Sequence, residues 1–375
     1  MKTLHEVTEV ELSRQRVKVR DLQSKKEWSE PYDRLLIATG AIPIRPGIPG
    51  IDSKGVLSVN TLQSGVEVRR FVDKRQPKRA VIVGGGYIGL EMAEALLLRG
   101  LEVTLVEQSP QVMGTLDLDM GALVSEALRK QGATLYLEEA VEEFEQKDGW
   151  VQAVLTENRS IPVDMVILGM GVGPNSAIAA EAGISLGVRN SIKVDKKMQT
   201  EVKNVWAAGD CAESFHLVTG KPFYIALGTV ANKHGRVAGE NIAGGNAEFA
   251  GVVGTAVTKV CSVEVARTGL QEREIEEQGI EFASAKIEST TRADYYPQSG
   301  PITVKLLGEK GSGRLLGGQI VGCEGAAKRI DIVATALHAE FTAEQVSELD
   351  LSYAPPYSPL WDPVLIAARL LAKKL

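Results

Sequence analysis

Ala80-Val81-Ile82-Val83 runs into Gly84-Gly85-Gly86-Tyr87-Ile88-Gly89, then into Leu90-Glu91-Met92-Ala93-Glu94-Ala95-Leu96-Leu97-Leu98-Arg99-Gly100 and Leu101-Glu102-Val103-Thr104-Leu105-Val106-Glu107. A β-branched run, a Gly-x-Gly-x-x-Gly turn, a segment of helical apolar spacing and a second apolar run ending on an acid spell strand, tight turn, helix and parallel strand. In such a unit each glycine has a task in holding a dinucleotide. Gly84 permits the sharp turn, Gly86 lets the backbone approach a pyrophosphate, and Gly89 lets the helix pack closely on the strand. Tyr87 and Ile88 open the helix, whose free N–H groups face phosphate. Glu107 stands 23 residues after Gly84 (107 − 84), where a strand-end carboxylate accepts from a ribose 2′-OH and repels a 2′-phosphate. Gln108 and Ser109 offer no arginine to such a phosphate, so the spacing favours NAD(H) over NADP(H).

A chain of 375 residues suits two or three domains at about 150 residues each. Its 42 basic and 48 acidic residues give a net charge of −6, which provides no footprint for nucleic acid or a membrane surface. No apolar run approaches the roughly 18 residues of a membrane-spanning helix. Met1-Lys2-Thr3-Leu4-His5-Glu6 lacks the apolar core of a signal peptide, so a cytoplasmic protein is expected. Cys211, Cys261 and Cys323 form no Cys-x-x-Cys, and the histidines at 5, 216, 234 and 338 do not cluster. Neither a disulfide scaffold nor a metal site is expected from that spacing.

Taken in order, residues 2–32 alternate polar and apolar as a meander of exposed strands, and Tyr32 to Ala41 reads as a buried strand ending in a small-residue turn. A Pro-rich linker spans Pro43 to Pro49, a helix is predicted from Thr61 to Lys74, and Gln76-Pro77-Lys78 marks a domain boundary. Beyond Glu107 the pattern predicts a helix over Asp119–Gln131, a strand over Ala133–Leu137, a small β insert and a buried strand over Asp164–Gly169. Gly169-Met170-Gly171-Val172-Gly173-Pro174-Asn175 follows as a second glycine-rich turn at the edge where ligands bind in such sheets. Asn204-Val205-Trp206-Ala207-Ala208-Gly209-Asp210 places a carboxylate at a strand end, suited to polyol hydroxyls. A helix is expected from Ala226 to Ile242 with Val230, Ala231, Val237, Ala238 and Ile242 on its apolar side. From about 250 onward five strands and three helices, over Leu270–Gln278, Ala326–Ala339 and Trp361–Lys374, describe an α+β domain of another kind.

At this point the chain resembles the pyridine nucleotide-disulfide oxidoreductase family. The residues that carry the likeness are Tyr32-Asp33-x-Leu-x-x-Ala38-Thr39-Gly40, Gly84 to Gly89 with Glu91, Gly171-Val172-x-Pro174-Asn175, Ala208-Gly209-Asp210 and Leu227-Gly228-Thr229-x-Ala231-Asn232-Lys233. The resemblance implies a doubly wound α/β protein with FAD- and NAD-binding Rossmann-like domains and a C-terminal dimerisation domain. It implies residues 1–76 as part of the FAD domain, 77–192 as the NAD domain, 193–250 as the second part of the FAD domain and 251–375 for dimerisation. Thr39, Gly40, Gly209 and Asp210 would lie along FAD, and the helix beginning at Ala226, Leu227, Gly228 and Thr229 would point its positive end at the flavin. Gly171 would lie along NAD with the first glycine turn. Ala293-Asp294-Tyr295-Tyr296-Pro297, Glu324 to Asp331 and Tyr353-Ala354-Pro355-Pro356-Tyr357-Ser358 resemble the single-cysteine branch of coenzyme A disulfide reductases, NADH oxidases and polysulfide or persulfide reductases. That likeness assigns the branch's two active-site tyrosines, supplied across a homodimer, to Tyr295 and Tyr353.

The sequence departs from the family at its beginning. In the family a glycine loop for the ADP half of FAD and a redox cysteine come first. Here no glycine-rich loop precedes Gly84 and no cysteine precedes Cys211. Cys211, Cys261 and Cys323 read as small packed residues rather than nucleophiles. A fragment and a truncated paralogue both fit this departure, and either is expected to leave an exposed sheet edge. The expected function of the intact protein is FAD-dependent reduction of coenzyme A disulfide, persulfide or polysulfide by NADH, or NADH oxidase activity on the same scaffold, with inactivity of the chain that lacks the redox cysteine left open. The alternative is a silent NAD-binding and dimer-forming module.

Overall fold

The computed structural model describes the whole chain, Met1 to Leu375. It divides into two compact units, one of residues 1–42 with 172–252 and one of residues 43–171 with 253–375.

The second unit is built on the stretch quoted first. Arg79–Val83 is the middle of a five-stranded parallel sheet, flanked by Met165–Leu168 and Glu102–Glu107, with Val56–Ser58 and Thr134–Leu137 at the edges. Alternation along the strands fills both faces. Ala80, Ile82, Leu105 and Ile167 join a core with the helices Leu62–Arg75, Tyr87–Leu98 and Leu118–Lys130, while Val81, Val83, Val106 and Leu168 pack on the antiparallel insert of Val141–Lys147, Trp150–Thr156 and Ser160–Pro162. Thr61 and Ser64 close a capping box on the first of these helices.

The same unit carries a five-stranded antiparallel sheet in the order Ala256–Val260, Val263–Gly269, Leu315–Gly322, Pro301–Glu309 and Phe282–Thr290, with the helices Ala326–His338 and Pro363–Ala372 packed on it. Val260, Cys261, Val265 and Val321 belong to the core cluster of the parallel sheet, so the two sheets share buried surface. Glu91 accepts from Thr258 Oγ1 at 2.7 Å and Glu94 from the Cys261 N–H at 2.9 Å, tying the glycine-turn helix to this sheet.

In the first unit His5–Glu11, Arg16–Asp21 and Glu27–Pro31 form the exposed antiparallel meander. Leu35–Ile37 pairs in parallel with Val205–Ala207, and the helix Gly228–Ile242 packs on the core around Ile192, Met198 and Ala207. The buried strand expected over Tyr32–Ala41 is only three residues long and leaves Leu36 exposed, because it has a single partner strand. Residues 43–76 contribute Val56–Ser58 to the edge of the parallel sheet, whereas Ala179, Ile184 and Ile192 bury themselves in the core of the first unit. No helix is long and apolar enough to cross a membrane.

Candidate functional site

The glycine turn leaves the C-terminal end of Arg79–Val83, and its three fingerprint glycines differ in what surrounds them. Gly84 has φ +101°, and a Cβ there would meet the Gly169 carbonyl oxygen at 2.6 Å. A Cβ at Gly89 would sit 2.0 Å from the Gly84 oxygen. At Gly86 the nearest atom is 4.0 Å away, so this residue faces open space. Gly86 is also the N-cap of Tyr87–Leu98 and brings no capping side chain, which leaves the helix-start N–H groups of Tyr87, Ile88 and Gly89 without a side-chain acceptor. Packing thus demands Gly84 and Gly89, while Gly86 is left open beside an uncapped, positive helix end.

Glu107 stands beside this turn, held by the Gly85 N–H at 2.6 Å and the Ser109 N–H at 2.8 Å, one on each oxygen. Each oxygen keeps lone-pair capacity for a further donor such as a ribose hydroxyl. Sequence spacing located this carboxylate but gave no hint of the two N–H groups that orient it. Gly171, with φ +87°, accepts the Ile44 N–H at 3.0 Å through its carbonyl.

The loop after Glu107 packs over the glycines: Met113 donates its N–H to the Gly85 carbonyl at 2.7 Å, and Thr115 lies near the Tyr87 phenol. Burial holds that phenol above its ordinary pKa, with Thr115 opposing in part. A polar cluster that sequence reading missed anchors the loop to the antiparallel sheet. Lys305 Nζ lies 3.0 Å from Asp117 and 2.9 Å from both Asp119 and Glu272, and Gln319 accepts the Asp117 N–H at 2.8 Å. Burial alone would lower the lysine pKa, but bonds to the three carboxylates outweigh it and keep the ammonium charged.

In the first unit, Thr39 and Gly40 are clamped to Asn175. Thr39 Oγ1 donates to the Asn175 carbonyl, and the Asn175 N–H returns to the Gly40 carbonyl at 2.9 Å. Gly209 has φ +81° and lets the turn pack on Ala231 of the Gly228–Ile242 helix, at 3.6 Å from where its Cβ would be. The helix begins at Gly228 with Leu227 as N-cap, so Ala226 lies just before it, and no side chain caps its N–H groups. Asp210 Oδ1 is buried without a hydrogen-bond partner, and desolvation raises the carboxyl pKa. A buried acceptor lacking a donor, near an uncapped helix start, is what a ligand with hydroxyls would complete by donating to it. Tyr224 supports the turn from behind: its hydroxyl donates to the Asp210 carbonyl at 3.0 Å, and burial first, then the Asp210 charge, push its pKa up to about 12.

Tyr295 and Tyr353 stand on the antiparallel-sheet part of the second unit. They are 73% and 47% exposed and belong to an outward group with Tyr357, Leu360 and Trp361. The neighbouring Tyr353 phenol holds the Tyr295 pKa above its ordinary value. The cysteines are packed instead. Cys211 is fully buried with Sγ 3.4 Å from the Ala208 carbonyl, burial raises the Cys261 pKa, and Cys323 fills the space where a Gly300 side chain would be.

Comparison with known proteins places this arrangement. Residues 1–235 match the family model described as pyridine nucleotide-disulphide oxidoreductase, and residues 255–363 match its dimerisation domain. The NAD(P)H sulfur oxidoreductase (CoA-dependent) of Pyrococcus abyssi is 41% identical over 98% of this chain and 81% of its own. Among solved structures, an NAD-dependent persulfide reductase from A. fulgidus superposes with a TM-score of 0.95 at 40% identity, covering 99% of this chain and 69% of that one. A reduced Bacillus anthracis CoADR-RHD gives 0.95 at 36% identity; this chain is covered to 99% and spans 66% of that structure's chain. The chain belongs to the pyridine nucleotide-disulphide oxidoreductase family.

Proposed function

We propose that this protein is an FAD-dependent reductase that uses NADH to reduce a disulfide, persulfide or polysulfide, acting as a homodimer on coenzyme A derivatives. The observation that carries the reading is the Tyr295–Tyr353 pair, two exposed phenols of which Tyr353 stands near enough to raise the Tyr295 pKa. Relatives named for sulfur, persulfide and coenzyme A disulfide reduction support the substrate class.

When bound, nicotinamide and isoalloxazine supply two-electron hydride chemistry. The chain's own residues bind and orient. The N–H groups of Tyr87, Ile88 and Gly89 take the NAD pyrophosphate where Gly86 leaves room, and Glu107 accepts ribose hydroxyls. Thr39, Gly40 and Gly209 line the flavin side. Asp210 Oδ1 would take from a ribityl hydroxyl the donor it lacks, and the uncapped start of Gly228–Ile242 would favour negative charge nearby. Cleaving a disulfide to two thiols takes two electrons, which NADH supplies, and two protons (NADH + H⁺ + RSSR′ → NAD⁺ + RSH + R′SH); Tyr295, kept protonated throughout the neutral range, would donate a hydrogen bond to the thiolate released, with Tyr353 beside it. None of the three cysteines is presented as a nucleophile, so the contribution of these residues to sulfur release is acid assistance.

The purified protein is expected to be yellow, to bleach with NADH and to consume NADH when coenzyme A disulfide is added. Tyr295→Phe combined with Tyr353→Phe should slow acceptor turnover about a hundredfold and leave bleaching by NADH unchanged. A colourless protein that binds NADH without passing electrons on would overturn the reading in favour of a silent module. Asp210→Asn offers a separate check on the flavin side. It removes a desolvated charge, so the flavin-free protein should melt no lower at pH 7, yet flavin should bind at least about tenfold more weakly for want of a charged acceptor. Equal flavin retention in the two proteins would move the ribityl chain away from Asp210.

A further inference from the structure

The two tyrosines are exposed, so their mutual placement must come from the backbone that carries them. That backbone is gathered on one buried side chain. Arg329, in the first turn of Ala326–His338, is 8% exposed, and its guanidinium reaches four acceptors on three segments at once. Nη2 donates to the Thr291 carbonyl at 2.7 Å and to the Tyr357 carbonyl at 3.0 Å. Nη1 donates to the Gly325 carbonyl at 2.8 Å, and Nε to Asp362 Oδ2 at 2.9 Å. Thr291 lies four residues before Tyr295, and Tyr357 four residues after Tyr353. One direct backbone bond joins the same two segments, from the Ala293 N–H to the Pro355 carbonyl at 3.3 Å.

We propose that Arg329 is a positioning residue for the tyrosine pair: its buried fork fixes the Thr291–Tyr295 and Tyr353–Tyr357 segments against each other and so sets how the two phenols meet. The role in turnover rests on the acid-assistance reading given above; the positioning itself does not. Only arginine suits the place. Five N–H donors in a rigid plane can serve carbonyls lying in different directions, whereas a lysine ammonium is a single point at the end of a flexible stem. The charge is tolerated in burial because Asp362 pairs with it. Asp362 is itself fixed as the N-cap of Pro363–Ala372, accepting the Val364 N–H at 2.9 Å and the Ser358 hydroxyl at 3.2 Å. The helix bearing Arg329 is held in turn by Glu264, whose Oε2 accepts the Gly325 and Ala327 N–H groups at 3.1 and 2.8 Å.

The test uses the full-length chain carrying 13C-labelled tyrosine, with the Tyr295 and Tyr353 signals assigned through their Phe variants. Arg329→Lys is expected to displace or broaden both signals while Tyr136 and Tyr32 keep theirs. With NADH and coenzyme A disulfide it should cut turnover at least tenfold in the parent, yet add less than twofold to the loss in the Tyr295→Phe Tyr353→Phe background. Ser358→Ala, which removes one donor to Asp362 and leaves the Arg329–Asp362 pair and the Val364 cap intact, should leave both signals in place and serves as the control for packing at the same spot. Unmoved signals in Arg329→Lys, equal displacement in both variants, or the same fold-loss of turnover in both backgrounds would each overturn the proposal. If the two Phe substitutions leave turnover intact, acid assistance fails, and the tyrosine signals alone still decide whether Arg329 positions the pair.

Discussion

Gly89→Ala is expected to unfold the second unit or lower its melting point steeply, whereas Gly86→Ala should cost little stability and still abolish tight NADH binding. The two glycines belong to one motif but meet different neighbours. At Gly89 a methyl group would lie 2.0 Å from the Gly84 carbonyl oxygen and 3.3 Å from Ile82 Cγ2, so backbone of the central strand must move. Forcing extra volume against an immobile backbone costs at least about 3 kcal/mol here, the upper end of overpacking penalties. At Gly86 the backbone is extended, φ −81° and ψ −174°, and nothing lies within contact range of an added methyl. Losing glycine for alanine at an N-cap costs about 0.5 kcal/mol. The same methyl occupies the space through which a pyrophosphate would approach the Tyr87, Ile88 and Gly89 N–H groups, so NADH affinity should drop at least about tenfold. Melting curves recorded with and without NADH separate the cases, since a ligand that binds only the folded state raises the midpoint. A Gly86→Ala protein that keeps the full NADH-dependent rise would place the pyrophosphate elsewhere.

This contrast also shows what the sequence could convey. Gly-x-Gly-x-x-Gly between two apolar runs was enough to set strand, turn, helix and strand, because backbone sterics and hydrophobic alternation are local properties of the string. The antiparallel strands beyond residue 250 and the helices Ala326–His338 and Pro363–Ala372 were legible for the same reason. Short elements were not. Ala343–Ser347 is five residues long and too brief to show a period, although Thr342 and Gln345 form a capping box that spelled its start. What joins distant segments left no local trace either. Lys305 reads as an ordinary charged residue in an alternating strand, yet it is 5% exposed among three carboxylates from two segments. Arg329 sat in a motif with no role attached until its four acceptors could be seen. On Gly228–Ile242 the apolar reading named Val230, Ala231, Val237, Ala238 and Ile242 but passed over His234, because a histidine on a buried stripe looks polar in the string.

That histidine should make the first unit acid-labile. His234 is fully buried, with Nε2 3.0 Å from Ser214 Oγ and its ring edge-on to Phe249 at a centroid distance of 4.5 Å. Burial pushes its pKa down to about 4 from the ordinary 6.5, and the Gly209 backbone opposes this only in part. The sign follows from linkage. Below pH 6.5 the unfolded chain binds a proton that the folded chain refuses until about pH 4, so stability is complete above 6.5 and is lost as the pH falls through that window. Going from pH 7 to pH 5 should therefore cost about 2 kcal/mol at this one site, and the full window about 3 kcal/mol. His234→Phe keeps the aromatic contact with Phe249 and cannot titrate. It should start about 1 kcal/mol less stable at pH 7, for the unpaired Ser214 hydroxyl, and then lose about 2 kcal/mol less than the parent on acidification. Urea unfolding of both proteins at pH 7 and pH 5 gives the comparison, with every other titrating group common to the pair. Identical pH slopes would mean that His234 is protonated in the folded state after all. Because the ring lies in the helix whose first turn packs on Gly209 and beside Asp210, protonation should loosen the flavin side before the parallel sheet is affected: flavin fluorescence should rise, in the parent and not in His234→Phe, at a higher pH than the loss of NADH binding.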